Sequence, residues 1–161
     1  MIYPDIETLI PHRPPARMIE AVLDRVENLI TCSGRISRSH PLAEGRWAPA
    51  SLGLEMGAQA AAALAVLLAR DSDPTFGTGM GYLVGVRDAR MRSPTLRTDV
   101  EHRVIARKTS GAGPLALFEI EIYGKDDDPL VSGQISAYAL GEASAGPSAV
   151  ASSQASRKQN H

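Results

Sequence analysis

Pro49-Ala50-Ser51-Leu52-Gly53-Leu54-Glu55-Met56-Gly57-Ala58-Gln59, continued by an Ala- and Leu-rich run to Ala69, is the stretch on which the fold turns. Pro49 suits the first turn of a helix, where a missing N–H costs nothing, and Ser51 is a capping residue type. No breaker follows until Asp71-Ser72-Asp73-Pro74. The spacing predicts a helix over Pro49–Ala69, roughly 30 Å long at a rise of about 1.5 Å per residue. Leu, Met, Val and Ala lie on nearly every side of it, which marks a buried helix. Its alanines, Ala58, Ala60–Ala63 and Ala65, let a sheet come close to the axis.

Outward from the helix the pattern changes to strands. Upstream, Met18–Val26 and Leu29–Ile36 read as two strands joined by a tight turn at Glu27-Asn28. Before them, Pro4–Ile10 suits a short helix with Asp5 and Glu7 in its first turn. The segment Pro11-His12-Arg13-Pro14-Pro15 then forbids regular helix. Ser37–Ala48 has no periodicity and reads as loop. Downstream, Gly81–Arg92, Thr98–Thr109, Leu115–Tyr123 and Leu130–Leu140 read as four strands separated by Gly and Pro clusters. Alternation of Glu119 and Glu121 with Phe118, Ile120 and Ile122 marks a sheet with one wet face. A single antiparallel sheet wrapped around one helix, an α+β arrangement, is the simplest way to bury that helix. Residues 1–140 form the domain. Residues 141–161, mostly Ala, Ser, Gly and Gln, offer no apolar surface to offset the entropy of ordering and are expected to be a disordered tail.

Composition narrows the function. The chain has 161 residues, enough for one domain with a real core, but only 4% are aromatic, so that core is aliphatic. A formal net charge of −1 gives no global reason to expect nucleic acid or an anionic membrane as partner. Cys32 is the sole cysteine, which rules out an internal disulfide, and no Cys/His cluster suggests zinc. The N-terminus lacks the basic-then-apolar pattern of a signal peptide. Glu55 and Gln59 make the apolar run a poor membrane span. The expectation is a soluble, cytoplasmic protein.

Three segments carry more than fold. They are Ile10-Pro11-His12-Arg13-Pro14-Pro15 with Met18–Val22, then Pro49–Gln59, then Gly81-Tyr82-Leu83-Val84-Gly85-Val86-Arg87-Asp88-Ala89-Arg90-Met91-Arg92-Ser93-Pro94. In order and spacing they resemble the hotdog-fold beta-hydroxyacyl-carrier-protein dehydratases of fatty-acid synthesis. The resemblance is stronger still to the predicted 3-hydroxyacyl-carrier-protein dehydratase subfamily of aryl-polyene-type clusters. It runs from about Ile6 to Leu140.

The resemblance implies a hotdog fold and the dehydration of a 3-hydroxyacyl thioester, borne on an acyl carrier protein or coenzyme A, to the trans-2-enoyl thioester. It implies Glu55 as catalytic acid and places Gln59, one turn later and able to hydrogen-bond the carboxyl, among the substrate-binding residues. His40, fifteen residues before Glu55, would be the base on the α-carbon. The backbone N–H groups of Ala50 and Ser51 would hold the thioester carbonyl at the helix N-terminus. The resemblance calls for no metal or organic cofactor. It implies a homodimer or a hotdog heterodimer, because the His and the acid of this fold family usually come from different protomers.

The chain departs from the pattern twice. His40-Pro41-Leu42-Ala43-Glu44-Gly45 stands where the family has a Gly-Phe-Pro-Gly type segment after the His, and Ala50 replaces the glycine after the helix-start proline. A hotdog thioesterase, whose chemistry also uses an acid on the central helix, is one alternative, and a non-catalytic subunit that completes a heterodimer, left open by the missing Gly-Phe-Pro-Gly segment, is another.

The other notable residues have plainer readings. His12 among its prolines reads as a structural hydrogen-bonding residue, His102 as a surface strand residue, and His161 as part of the tail. Trp47 is placed to line an acyl tunnel or to pack the loop. Arg87, Arg90, Arg92, Arg97, Arg103, Arg107 and Lys108 read as a solvated sheet face, or as a docking patch for an acidic carrier protein.

Overall fold

The computed structural model describes residues 1–140, so the expected tail at 141–161 lies outside the described residues. A single turn of 3-10 helix at Ile6–Thr8 is capped by Asp5, whose side chain accepts the Glu7 N–H. The strands β1 (Ile19–Val26) and β2 (Leu29–Gly34) form a hairpin closed by Glu27-Asn28, with Glu27 at φ 49°. A short strand β3 (Trp47–Pro49) precedes the helix α1 (Leu52–Ser72). Then come β4 (Met80–Met91), β5 (Thr95–Arg97), β6 (His102–Ala112), β7 (Leu115–Tyr123) and β8 (Pro129–Leu140).

Six strands make one antiparallel sheet in the order β1-β2-β6-β7-β8-β4, and β3 pairs with β5 in a separate two-stranded ladder. The arrangement is the expected α+β one, with α1 packed on one face of the large sheet, chiefly against β6, β7, β2 and β8. Alternation decides which residues meet the helix. On β7 the residues Phe118, Ile120 and Ile122 point inward and are buried, while Glu119 faces solvent. They pack with Ile30, Val104 and Ile135 against Met56, Ala60 and Leu64 of the helix. Fully burying one such aliphatic side chain stabilises the fold by about 1.5–3 kcal/mol.

Two differences from the expected element boundaries trace to contacts with segments distant in sequence. The helix starts at Leu52 rather than Pro49, because Trp47-Ala48-Pro49 is drawn into a ladder with Thr95-Leu96-Arg97. Ser51 does occupy the N-cap position, but its side chain makes no capping hydrogen bond. The strand expected over Thr98–Thr109 is cut near its start by Asp99, at φ 56°. There the chain turns aside to pin the loop before β3: Thr98 Oγ1 donates to the Gly45 carbonyl at 2.8 Å, and the Asp99 N–H donates to the Ile36 carbonyl at 2.8 Å.

The helix is also not buried all round. Ala58, Ala62, Ala65 and Leu68 are only partly covered, and they face a cleft rather than the sheet. By length and composition alone α1 could cross a bilayer, with mean hydropathy 1.7, but 61% of that window is buried, as in the core helix of a globular domain.

Candidate active site

The N-terminal end of α1 opens on this cleft. Glu55 lies in the first turn with its side chain 43% exposed. Its Oε1 accepts a hydrogen bond from Gln59 Nε2 at 3.2 Å, one helical turn along, and lies 3.5 Å from His12 Nε2. The carboxyl is held below its ordinary range chiefly by the His12 ring. Burial works against that shift, while the Gln59 amide and the charges of His12 and, lastly, His40 reinforce it. Glu55 is thus a carboxylate at neutral pH.

Gln59 is 1% exposed and fully engaged. Its Oε1 accepts the N–H groups of Met18 at 2.8 Å and Ile19 at 3.4 Å, and its Nε2 donates to the Ala16 carbonyl at 2.9 Å as well as to Glu55. A primary amide has two donor hydrogens and two acceptor lone pairs, so none is left for a substrate. Gln59, expected among the substrate-binding residues, instead fastens the segment Ala16–Ile19 to the helix and fixes one carboxylate oxygen of Glu55.

The other expected residues are arranged as follows. Ala50 is buried and its N–H donates to the Pro94 carbonyl at 2.9 Å, so that amide is not free to hold a thioester. Ser51 is exposed at the positive end of the helix. His40 is half-buried in the loop between β2 and β3, and its Nδ1 accepts the Leu42 N–H at 3.1 Å. With Nδ1 accepting, the ring proton of neutral His40 sits on Nε2. Within one chain His40 reaches Glu55 only through its charge, whereas His12 approaches it directly.

The sequence reading left His12 out of the site. It lies 43 residues from Glu55, and the two come together only because Gln59 clamps the strand entry just after His12. The single local signal was a histidine between Pro11 and Arg13-Pro14-Pro15, whose stiffness suits a fixed side chain.

His102 corrects the expectation of a surface residue. It is 2% exposed, because the turn at Asp99 sets the phase of β6 so that His102, Val104 and Ala106 point inward. Cys32 is also buried, and desolvation pushes its thiol up to about 12, which makes it unreactive.

The cleft has a volume of about 510 Å³. His12 and Glu55 stand at one end, and its length follows the Ala58, Ala62, Ala65 and Ala69 face of α1, with Phe76 and Phe118 as further walls. Trp47 is 49% exposed on β3 and does not line the cleft, whereas Lys108 does, which removes it from the surface basic cluster. Of that cluster, Arg92 faces Asp126 and Asp128, and Arg103 faces Asp127 and stacks 4.6 Å from the centre of the Tyr123 ring. Among the described residues no three His, Cys, Asp or Glu side chains gather as a metal ion would need.

One long helix across a six-stranded antiparallel sheet, with an ionised carboxylate in the first helical turn at the mouth of an aliphatic cleft, defines a hotdog-fold domain. The chain belongs to the ApeP-like family, described as ApeP dehydratase, whose pattern matches residues 4–145. It is 32% identical over 115 residues to the 3-hydroxyacyl-[acyl-carrier-protein] dehydratase FabZ of Anaeromyxobacter sp. (strain K), a match that spans 66% of this chain and 72% of that protein. Among solved structures it is similar to the dehydratase heterocomplex ApeI:P from Xenorhabdus doucetiae, with a TM-score of 0.75 at 22% identity over 88% of this chain and 94% of that one. A mutant thioesterase from Pseudomonas aeruginosa shares the fold more distantly, with a TM-score of 0.54 at 15% identity over 76% and 81% of the two chains.

Proposed function

We propose that the protein dehydrates a 3-hydroxyacyl thioester, carried by an acyl carrier protein or coenzyme A, to the trans-2-enoyl thioester. The observation that carries this reading is an ionised Glu55 at the polar end of an aliphatic cleft, in a chain of a dehydratase family. The reaction needs one group to take a proton from the α-carbon and another to give a proton to the departing 3-hydroxyl. As the α-proton leaves, its electron pair becomes the new double bond, the carbon–oxygen bond breaks, and the hydroxyl departs as water.

The state of the two side chains suggests which does which. Glu55, held as a carboxylate by neighbouring donors, is the acceptor for the α-proton. His40, with its proton on Nε2, is the donor to the leaving hydroxyl. This reverses the assignment expected from the resemblance, because Glu55 sits against N–H donors rather than in an apolar pocket that would keep it protonated. The Ser51 N–H at the helix end is the donor for the thioester oxygen as enolate character develops.

A second hotdog subunit completes the site. Support comes from β4, an edge strand of the sheet that leaves Tyr82, Leu83, Val84 and Val86 exposed beside the open cleft. A long apolar edge of this kind is a pairing surface. Paired as two copies, the arrangement brings a second His40 loop into the assembly; paired with a different hotdog chain, this chain contributes one. The exposed Arg87, Arg90, Arg97 and Arg107, which among the described residues have no carboxylate within ion-pair distance, form the surface for an acidic carrier protein.

The test is incubation with a 3-hydroxyacyl carrier protein, followed by mass spectrometry of the acyl group. Loss of one water is expected from the wild type, with a decrease of about 10²–10⁴-fold in Glu55→Gln and in His40→Ala. Release of the free acid would identify a thioesterase. No turnover alone, but turnover on adding a second hotdog subunit, would identify a heterodimer partner.

A further inference from the structure

We propose that His12 is a positioning residue of the active site, which orients the Glu55 carboxylate for proton transfer; this rests on the dehydratase reading above. The geometry has three parts. First, His12 Nε2 and Gln59 Nε2 both address Glu55 Oε1, at 3.5 Å and 3.2 Å. Gln59 donates to this oxygen and His12 stands at the edge of reach of it, which leaves Oε2 as the oxygen for the substrate.

Second, His12 Nδ1 is buried without a hydrogen-bond partner. A proton there would be a buried donor with no acceptor, so the ring proton belongs on Nε2, facing Glu55.

Third, the backbone that carries His12 is held on both sides. Arg13 donates to the Ile10 carbonyl at 3.1 Å and to that of His12 itself at 2.8 Å, and Ile10 is fully buried. A few residues on, Gln59 holds Ala16 and Met18. A separation of 3.5 Å is the outer edge of hydrogen-bonding distance, and catalytic contacts commonly tighten only when substrate fills the site.

The titratable groups that act on Glu55 are His12 from the N-terminal segment and His40 from the loop between β2 and β3. The neutral Gln59 amide on its own helix adds a donor but no charge. Of these, His12 does most to hold the carboxyl low.

The decisive experiment has two readouts on the same folded proteins, the wild type, His12→Ala and His12→Asn, checked by circular dichroism. One is a carbon-13 titration of glutamate carboxyls, with Glu55 assigned by its loss in Glu55→Gln. The other is the pH profile of kcat/KM for dehydration. His12→Ala is expected to raise the Glu55 titration midpoint, to move the acid limb of the profile upward with it, and to lower kcat by about 10- to 100-fold with little change in KM. His12→Asn, which keeps an N–H donor, is expected to recover part of each effect. An unchanged Glu55 midpoint in His12→Ala overturns the proposal, as does a fall in kcat without movement of the acid limb. If the wild type dehydrates nothing, alone or with a second hotdog subunit, the dehydratase reading fails, and the carboxyl titration still decides the role of His12.

Discussion

Gln59 Oε1 accepts the N–H of Met18 at 2.8 Å while Gln59 Nε2 donates to Glu55, so a single buried amide joins the entry to β1 to the carboxylate at the head of α1. Replacing it disturbs two things at once. In Gln59→Leu the buried N–H of Met18 loses its partner, while the carbonyl of the exposed Ala16 is left to water. Each buried unsatisfied group costs about 1–3 kcal/mol. The variant is expected to melt several degrees below the wild type and to lose most dehydration activity through a displaced Glu55. Gln59→Glu keeps the shape but sets a second carboxyl against Glu55, so it is expected to raise the Glu55 titration midpoint. Thermal melts together with kcat/KM for both variants check this, and a Gln59→Leu protein of wild-type melting temperature would contradict the clamp.

Of the two helix glycines that face the sheet, Gly57 leaves the less room for a side chain. A Cβ placed there would lie 2.4 Å from Ile120 Cδ1 and 2.8 Å from Ile120 Cβ. Alanine is favoured over glycine inside a helix by about 1 kcal/mol. Here that gain is outweighed, because overpacking of a tight core costs about 1–3 kcal/mol and the clash includes the branch carbon of Ile120 rather than a flexible end alone. Gly57→Ala is expected to be net destabilising in chemical denaturation, and its cost is expected to be smaller when it is introduced into an Ile120→Ala background, which itself loses core packing. A stabilised Gly57→Ala would show that the helix can lift away from β7 without penalty.

The order of elements was legible because each carried its own period: an unbroken apolar helix run up to Ala69 and alternation on β7 between Phe118 and Tyr123. Glu55 and Gln59 were legible together for the same reason, since a spacing of four places them on one helix face. What stayed hidden depended on contacts distant in sequence. The ladder of Trp47–Pro49 with Thr95–Arg97 moved the helix start, and nothing local to Pro49 announces it. The clamp from Gln59 to Met18 brought His12 to Glu55, and the positive φ of Asp99 turned His102 inward.

That inward histidine gives stability a pH dependence. Burial holds His102 below its ordinary value of 6.5; the Val100 backbone opposes the shift and Arg35 adds to it, and Nδ1 is left without a partner. Below pH 6.5 the unfolded chain takes up a proton that the folded chain still refuses, so stability falls as the pH is lowered through that window. It levels off once the pH passes below the folded value. The melting temperature is therefore expected to drop from pH 7 toward acid, and His102→Asn is expected to show a shallower drop whatever its melting temperature at pH 7. Parallel curves for the two proteins would remove His102 as the source.

The cleft beside α1 predicts how acyl length is read. Glu55 and Ala69 both line it, and fourteen residues at about 1.5 Å each separate them by roughly 21 Å along the helix axis. Between them the helix lines the cleft chiefly with the small side chains of Ala58, Ala61, Ala62 and Ala65, beside Gln59, Val66 and Leu68. An extended acyl chain reaching past Ala62 needs that position to stay small. Ala62→Phe places a ring midway, and because Ala62 is only partly covered the ring has the cleft itself to occupy rather than the core. The variant is expected to fold with near-normal stability, to keep kcat/KM for short 3-hydroxyacyl chains, and to lose about tenfold or more for long ones, since each buried methylene contributes about 0.8 kcal/mol of binding. Rates measured across a series of chain lengths check this. An equal loss at every length would mean that the ring disturbs Glu55 itself, and no loss at any length would mean that the acyl chain runs elsewhere.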